Sequence, residues 1–434
     1  ASHEILPVFR EFERFSTAVV SAYIGPSITR YTRKLQSGLK ERGCNVRLLM
    51  MLANGLVQPV DQCINRAVYL LDSGPAAAPS GAIYLGKLIG HDNLISIDMG
   101  GTSFDVCQIK AGQIPTTTER WDGDQRIAIK MVDIETLGAG GGSIATIDAL
   151  GLMKVGPQSA GADPGPACYG TGTLPTVTDA DVLLGYIPHD YFLGGEIKLD
   201  PALAKKAMRV VADPLGIDPI QAAEAVFKSV NAGMADKITE VSTKRGHDVR
   251  DCVLVAGGGG GPTHAGFIAD QLGMPTVVIP SVAALFSAFG MFAMDPGEDH
   301  ARSFVARTAT LDIDAMNSLY EEMEKEARAS FHSIGVPDRD ITLKRTADLR
   351  YVGQFHEVET VVPGGKLKRS HVDATEKAFT REHEMLYTFG MPWQPVEVLS
   401  LRVKVTAAKA PFRLREIEKG SKDPRTALKR RRKC

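Results

Sequence analysis

The sequence predicts an α/β fold whose strands end in glycine-rich turns, and three observations lead there. One is the order CVLVA (252–256), GGGGGPTH, AGFIADQLG (265–273) and TVVIP (276–280). It reads as buried strand, turn, helix and strand, the alternation of an α/β layer. Another is Pro219–Arg245, where Ala222, Val226, Val230, Met234, Ile238 and Val241 recur near every fourth position behind a capping Asp218. The third is glycine, 43 of 434 residues against a usual ~7%. Clustered glycine marks backbone that turns tightly or approaches a ligand closely.

The elements follow in order. Residues 11–53 read as mostly helical, with Pro26 dividing the stretch Glu11–Leu39 in two. Val46–Met51 is a short apolar run with strand character. Ser73 caps a helix with Pro75 at an early position. LISID (94–98), the turn MGGTS and FDVCQI (104–109) form a strand–turn–strand unit. Residues 113–130 are polar with further strand signals, and GAGGGSIATID (138–148) sets a glycine cluster before another strand. Residues 156–178, rich in Gly, Pro and Thr, form a long ordered loop. Residues 312–334 are a second amphipathic helix, and 343–362 are paired strands. After Ala407 the chain becomes basic and irregular.

Composition narrows the class. With 44% hydrophobic and 23% charged residues the chain can bury large cores, and its length suggests two or three domains. A net charge of −1 gives no footing for nucleic acid. Six scattered cysteines without a CxxC pair suggest neither a zinc site nor a disulfide framework. Cys107 and Cys252 read as buried small hydrophobes. Without a signal peptide or an apolar run of membrane-spanning length, a soluble cytoplasmic protein is expected, with no membrane partner.

Four constellations bear on chemistry. In Asp98-Met99-Gly100-Gly101-Thr102-Ser103-Phe104-Asp105, a strand delivers Asp98 into a glycine turn. Its backbone N–H groups suit anionic oxygens, Thr102 and Ser103 add hydroxyls, and Asp98 suits a hydrated magnesium ion or a water. The same residues read equally as a plain β-hairpin, and the two readings are compatible. In Val255-Ala256-Gly257-Gly258-Gly259-Gly260-Gly261-Pro262-Thr263-His264, a strand runs through five glycines into a helix. No Lys follows, so it is not a GxxxxGK[ST] loop, and it lacks the later acidic residue of a dinucleotide fold. His264 is either a packed or capping residue or a ligand contact. Gly138–Ser143, containing Gly140 and Gly141, goes with the loop 156–181, whose Gln158, Ser159, Asp163 and Tyr169 line a pocket if the loop is more than a rigid structural one. In RYVGQFHEVE (350–359), strand alternation puts Gln354 and His356 on one face, too few groups for a metal site.

The ordered set DSGPAAAPSGA, DMGGTSFDV, GAGGGSI, VGPQSAGADPGPACYG, PTVTDADVLLG, VAGGGGGPTHA and RYVGQFHEVE resembles the hydantoinase A / 5-oxoprolinase family over nearly the whole chain. The resemblance implies a partial actin-like ATPase fold followed by a small α+β region, with ATP and Mg2+ as cofactors. It implies ATP-driven phosphorylation of a carbonyl or lactam oxygen for ring-opening amide hydrolysis. A biotin-independent ketone carboxylase subunit is the alternative, to which QFHEVE and the KAPF segment lean. An inert fragment or assembly module is a second alternative, and a sugar-kinase relative a third. The implied partners are a hydantoinase B-type subunit and a lactam, hydantoin or ketone substrate. The family's phosphate loop falls on Asp98, Gly100, Gly101 and Thr102, with Asp98 and Thr102 as catalytic residues and Asp98 as metal ligand. Nucleotide contacts fall on Gly100, Gly101, Thr102, Ser103, Gly140, Gly141, Gly257, Gly258, Gly259, Gly260 and His264.

The expected domains are a helical segment at 1–72, a nucleotide-binding domain at 73–310, an α+β region at 311–410 and a basic tail at 411–434. The family's first phosphate loop has no counterpart here, so the chain reads as truncated at both ends, and Lys429–Lys433 as the start of a cut element.

Overall fold

The structure, a computed structural model, describes residues 1–408 apart from Phe9 and Glu119, and in the tail residues 414, 420, 423–428 and 431. The KAPF segment and most of the run Lys429–Lys433 lie outside the described residues.

In chain order, the longer helices are α1 (Glu11–Glu41), α2 (Ala78–Ile89), α3 (Val177–Leu183), α4 (Pro201–Leu215), α5 (Pro219–Lys244), α6 (Gly261–Leu272), α7 (Phe286–Ala293), α8 (Ile313–Ser333) and α9 (Arg369–Tyr387). The strands of the two main sheets and of the hairpin β4–β5 are β1 (Leu94–Met99), β2 (Phe104–Ile109), β3 (Glu135–Leu137), β4 (Ser143–Ile147), β5 (Met153–Ser159), β6 (Val253–Gly257), β7 (Val277–Val278), β8 (Gly297–Arg307), β9 (Ile341–Tyr351), β10 (Val358–Val362) and β11 (Val396–Ala407).

The chain forms two compact units, and neither is continuous in sequence. The first joins Ala1–Ser73, Thr116–Met131 and the described residues from Met294 to Ala408; the second joins Gly74–Pro115 and Val132–Ala293. The helical segment 1–72 and the α+β region therefore share one unit, together with an excursion from the other.

In the second unit a five-stranded sheet runs β7–β6–β1–β2–β3. β7, β6 and β1 are parallel, and β2 and β3 are antiparallel to β1 and β2 respectively. β1 is almost wholly buried, the pattern of a central strand. The apolar stripe read on α5 is the buried face: Ala222, Val226, Val230, Met234, Ile238 and Val241 all join the core around Ile97, Met99, Phe104 and Val106. α6 begins four residues before the expected 265, because Pro262 is tolerated in the first turn, where its missing N–H has no intrahelical acceptor.

The first unit holds an antiparallel sheet ordered β8–β11–β9–β10, with α8 on β11 and α9 on β10. Tyr320, Tyr351 and Phe379 fill its core. The helix expected at 312–334 and the paired strands expected at 343–362 are both present as α8 and β9–β10. Among the described residues no helix is long and apolar enough to cross a membrane.

Three local readings are corrected. α1 runs unbroken through Pro26. One part of the usual clash, that of the proline ring with the Cβ of the preceding residue, is absent here because that residue is Gly25. Ser73 does not cap a helix. Pro75 opens a 3-10 turn, Pro75–Ala77, that feeds α2 without a side-chain cap. Gln354 and His356 do not share a strand face, since β9 ends at Tyr351 and β10 starts at Val358. Gly353, at φ +87°, turns the chain between them. Gln354 Nε2 lies 2.7 Å from His383 Nε2, while His356 is exposed.

α2 and α7 pack backbone to backbone. A Cβ at Gly290 would sit 2.0 Å from the Ala77 carbonyl oxygen. Gly290→Ala is therefore expected to lower unfolding stability by ~1–3 kcal/mol through overpacking. Gly266→Ala, in α6 with no atom within 4 Å of its Cβ, should leave stability unchanged or raise it by up to ~1 kcal/mol. Urea denaturation midpoints of the two variants check the contrast.

Candidate functional site

Three glycine turns meet at the ends of β1 and β6. The parallel register sets Gly257 beside Asp98, and the antiparallel register sets Asp98 opposite Asp105. Both strands thus deliver their last residues to one edge of the sheet, where open α/β sheets bind ligands.

The turns are joined through their backbones. Gly141 N–H donates to the Gly100 carbonyl at 3.0 Å, and Gly142 N–H to the Gly101 carbonyl at 2.7 Å. Gly260 N–H donates to the Met99 carbonyl at 2.9 Å. Side chains are excluded by this approach. A Cβ at Gly140 would lie 2.6 Å from Thr102 N, and one at Gly258, where φ is +83°, would lie 2.2 Å from the Met99 oxygen. The outer glycines differ: a Cβ at Gly100, Gly101 or Gly259 would meet nothing within 4 Å. Gly101, Thr102 and Gly259 are exposed. The N–H groups of Gly100, Gly140, Gly141, Gly142, Gly258 and Gly260 already donate to protein oxygens, so the amides placed to face an anion are those of the exposed Gly101, Thr102 and Gly259, beside the N-terminus of α6.

The strand end leaves Asp98 half-buried, and Ser287 Oγ, on α7, donates to its Oδ2 at 2.7 Å. Thr136 Oγ1 donates to Asp105 at 2.6 Å. Among the described residues no three His, Cys, Asp or Glu side chains gather as a metal cluster. One fixed carboxylate beside open backbone still fits magnesium, which keeps several waters and takes one or two carboxylates plus phosphate oxygens.

His264 lies fully buried in α6. Its ring stacks on Phe227 at 4.9 Å, and Nδ1 is 3.0 Å from Asn231 Oδ1. Asn231 uses its Nδ2 to donate to the Phe227 carbonyl at 2.9 Å, so Oδ1 accepts and His264 Nδ1 carries the proton. Nε2 is 3.5 Å from Asp181 Oδ2. The imidazole ties α6 to α5, while Nε2 makes no hydrogen bond among the described residues.

The proline-rich loop ends on a buried carboxylate. Asp179, with no exposed surface, accepts from Ala167 N (3.1 Å), Cys168 N (2.7 Å), Thr176 N (3.0 Å) and Thr176 Oγ1 (2.8 Å). Next to it, Thr178 N and Oγ1 both donate to the Gly141 carbonyl at 2.8 Å. The loop is in this way tied to the central glycine turn. Of its polar residues Gln158 and Asp163 are exposed, and Tyr169 packs on Phe192, with burial pushing its hydroxyl up to about 12. Ser159 Oγ lies 3.5 Å from the Gly101 carbonyl. Burial likewise pushes the Cys107 thiol up to about 12, as fits a small buried hydrophobe.

Ser287, Thr178 and Asp179 were not among the residues singled out in the sequence. Thr176-Val177-Thr178-Asp179 carries a usable signal, the capping-box spacing. Ser287 stands 189 residues from Asp98, and nothing local marks it.

Comparison with known proteins places these residues in context. The hydantoinase/oxoprolinase family profile matches residues 14–300. Caprolactamase subunit alpha of Pseudomonas jessenii is 36% identical over 412 residues, covering 94% of this chain and 59% of that protein. The crystal structure of that ATP-dependent caprolactamase superposes with a TM-score of 0.78, over 94% of this chain and 60% of the other. The nucleotide-free structure of acetone carboxylase, 27% identical, gives 0.79 over 94% and 59%. 5-Oxoprolinase 1 of Arabidopsis thaliana is 29% identical over 98% of this chain and 34% of its own length. The chain thus spans about 60% of the caprolactamase subunit it matches.

Asp179 gives a test of how the loop is held. Asp179→Ala leaves buried N–H donors without an acceptor and is expected to cost ~3 kcal/mol or more. Denaturant unfolding measures the loss, and faster proteolytic cleavage within 156–176 locates it.

Proposed function

The chain belongs to the hydantoinase/oxoprolinase family, and on that premise we propose that it is the ATP-using part of a ring-opening amide hydrolase. The γ-phosphoryl group of ATP passes to the carbonyl oxygen of a lactam or hydantoin ring and ADP leaves; water then adds to the activated carbon, the ring C–N bond breaks with a proton going to nitrogen, and inorganic phosphate is released to leave the carboxylate. The observation that supports this reading most is the meeting of three open-faced glycine turns at Asp98. We read the fold of the second unit as actin-like.

Gly101 offers its backbone N–H to the phosphates, Gly100, Gly140 and Gly141 hold the turns in the shape that exposes it, and the hydroxyls of Thr102 and Ser103 add donors to the transferring oxygens. Gly257–Gly260 leave room for ribose and base against bare backbone. His264 and Thr178 act as positioning residues, holding α6 and the central turn. Asp98, oriented by Ser287, holds the magnesium ion or the water. The ion, when bound, neutralises charge on the phosphates. A B-type subunit is the proposed partner, in line with a relative named as a subunit alpha.

A second reading, the ATP-using subunit of a ketone carboxylase, draws on the acetone carboxylase structure, which superposes as closely as the caprolactamase (0.79 and 0.78). ATP turnover of the complex with a lactam panel, against acetone plus bicarbonate, separates the two.

Calorimetric titration of ATP into this chain is expected to show micromolar binding; its absence would turn the reading to an assembly module. In the complex with its partner, Asp98→Asn should lower substrate-stimulated ATP hydrolysis by ~100-fold or more. Ser287→Ala, which removes the partner that orients Asp98, should lower it by ~10-fold. Undiminished hydrolysis in Asp98→Asn would remove that residue from the mechanism.

A further inference from the structure

The first unit encloses a cavity of about 270 Å³, and a second of about 480 Å³ adjoins it. Arg402 and Thr118 line both. The smaller is near the ~300 Å³ at which small-molecule pockets begin. Its walls come from β9, β11, the turn after β9, the start of α1 and the segment after Thr116. Neither the sheet of the second unit nor any glycine turn contributes.

Arg402 stands on β11 with its side chain one-fifth exposed. Its Nε is held by both oxygens of Asp348, at 3.0 and 2.8 Å, and Ser400 Oγ donates to the same carboxylate. Asp348 is itself 7% exposed. This grip fixes the plane of the guanidinium through one nitrogen only. Neither terminal nitrogen has a hydrogen-bond partner among the described residues. Burial works against the cation, but Asp348 and Glu359 outweigh it and hold the guanidinium above its usual pKa. It is a permanent charge with a preorganised and vacant donor edge.

Counted with Arg402 itself, the charges that line the smaller cavity cancel, while the larger one carries an excess of cations. The smaller cavity is lined, among described residues, by Arg10, Arg126 and Arg402 against Glu13, Asp348 and Glu357. Arg10 is engaged by Glu357 at 2.5 Å and by Glu13 at 3.6 Å. A neutral cavity with one open guanidinium edge suits a planar monoanion, which takes both N–H groups side by side. A phosphate dianion would add two negative charges to this partly desolvated space where a carboxylate adds one. Thr118 offers a hydroxyl at the junction of the two cavities.

We propose that this cavity is a binding site for a small carboxylate, anchored on the free edge of Arg402 with Thr118 beside it. The site lies wholly within the first unit and does not depend on the nucleotide reading, so its test contains no ATP.

The experiment is isothermal titration of the full chain with butyrate, its uncharged isostere butyramide, and inorganic phosphate. Butyrate is expected to bind at least ~10-fold more tightly than either, the worth of a charge-assisted pair. Arg402→Gln, shown by circular dichroism to be folded, should lose at least ~10-fold in butyrate affinity. If that variant does not fold, Thr118→Val, at an exposed position, should lose ~2–10-fold, the worth of a neutral hydrogen bond. Equal affinity for butyrate and butyramide overturns the proposal. So do phosphate binding as tight as butyrate, undiminished butyrate binding in folded Arg402→Gln or in Thr118→Val, and no butyrate binding at concentrations on the order of 10 mM.

Discussion

The second unit depends on the backbone contact between its glycine turns. The N–H groups of Gly141, Gly142 and Gly260 close onto the carbonyls of Gly100, Gly101 and Met99. Each such bond contributes only ~0.5–1.5 kcal/mol net, so energy alone does not explain its importance. Distance does. The turns approach so closely that a single Cβ at Gly140 or Gly258 would fall within 2.2–2.6 Å of the facing backbone. Asp98 inherits its position from this contact through the register with Gly257. α7, set by the close approach of Gly290 to Ala77, then brings Ser287 to it.

Much of this can be read in the sequence, because each signal is local. The α5 stripe needs only a period near four, and the strand–turn–strand around Gly100 needs only flanking apolar runs. What is not legible depends on residues far apart in the chain. Asp179 shows its capping box, yet two of its donors come from the loop at Ala167 and Cys168. The two units interleave, so a division by position along the chain cuts across both. Pro26 misleads for the opposite reason: the rule is local, but its exception is one residue away, at Gly25.

The first unit is built on another plan. Its sheet is antiparallel, its core is aromatic and aliphatic, and its polar centre is made of side chains, with Arg10, Asp348, Glu357 and Arg402 in ion pairs. The two superpositions extend over 94% of the chain in both the caprolactamase and the acetone carboxylase. Proteins named for quite different reactions therefore share both halves of this architecture. The shared frame extends over about 60% of each of those chains.

A cradle of peptide amides has a chemical character that side chains cannot match. Amide N–H groups neither gain nor lose protons in the range where proteins work, and they offer nothing to an alkylating agent or a peroxide. The hold of the glycine turns on an anion would therefore follow the ionisation of the anion alone.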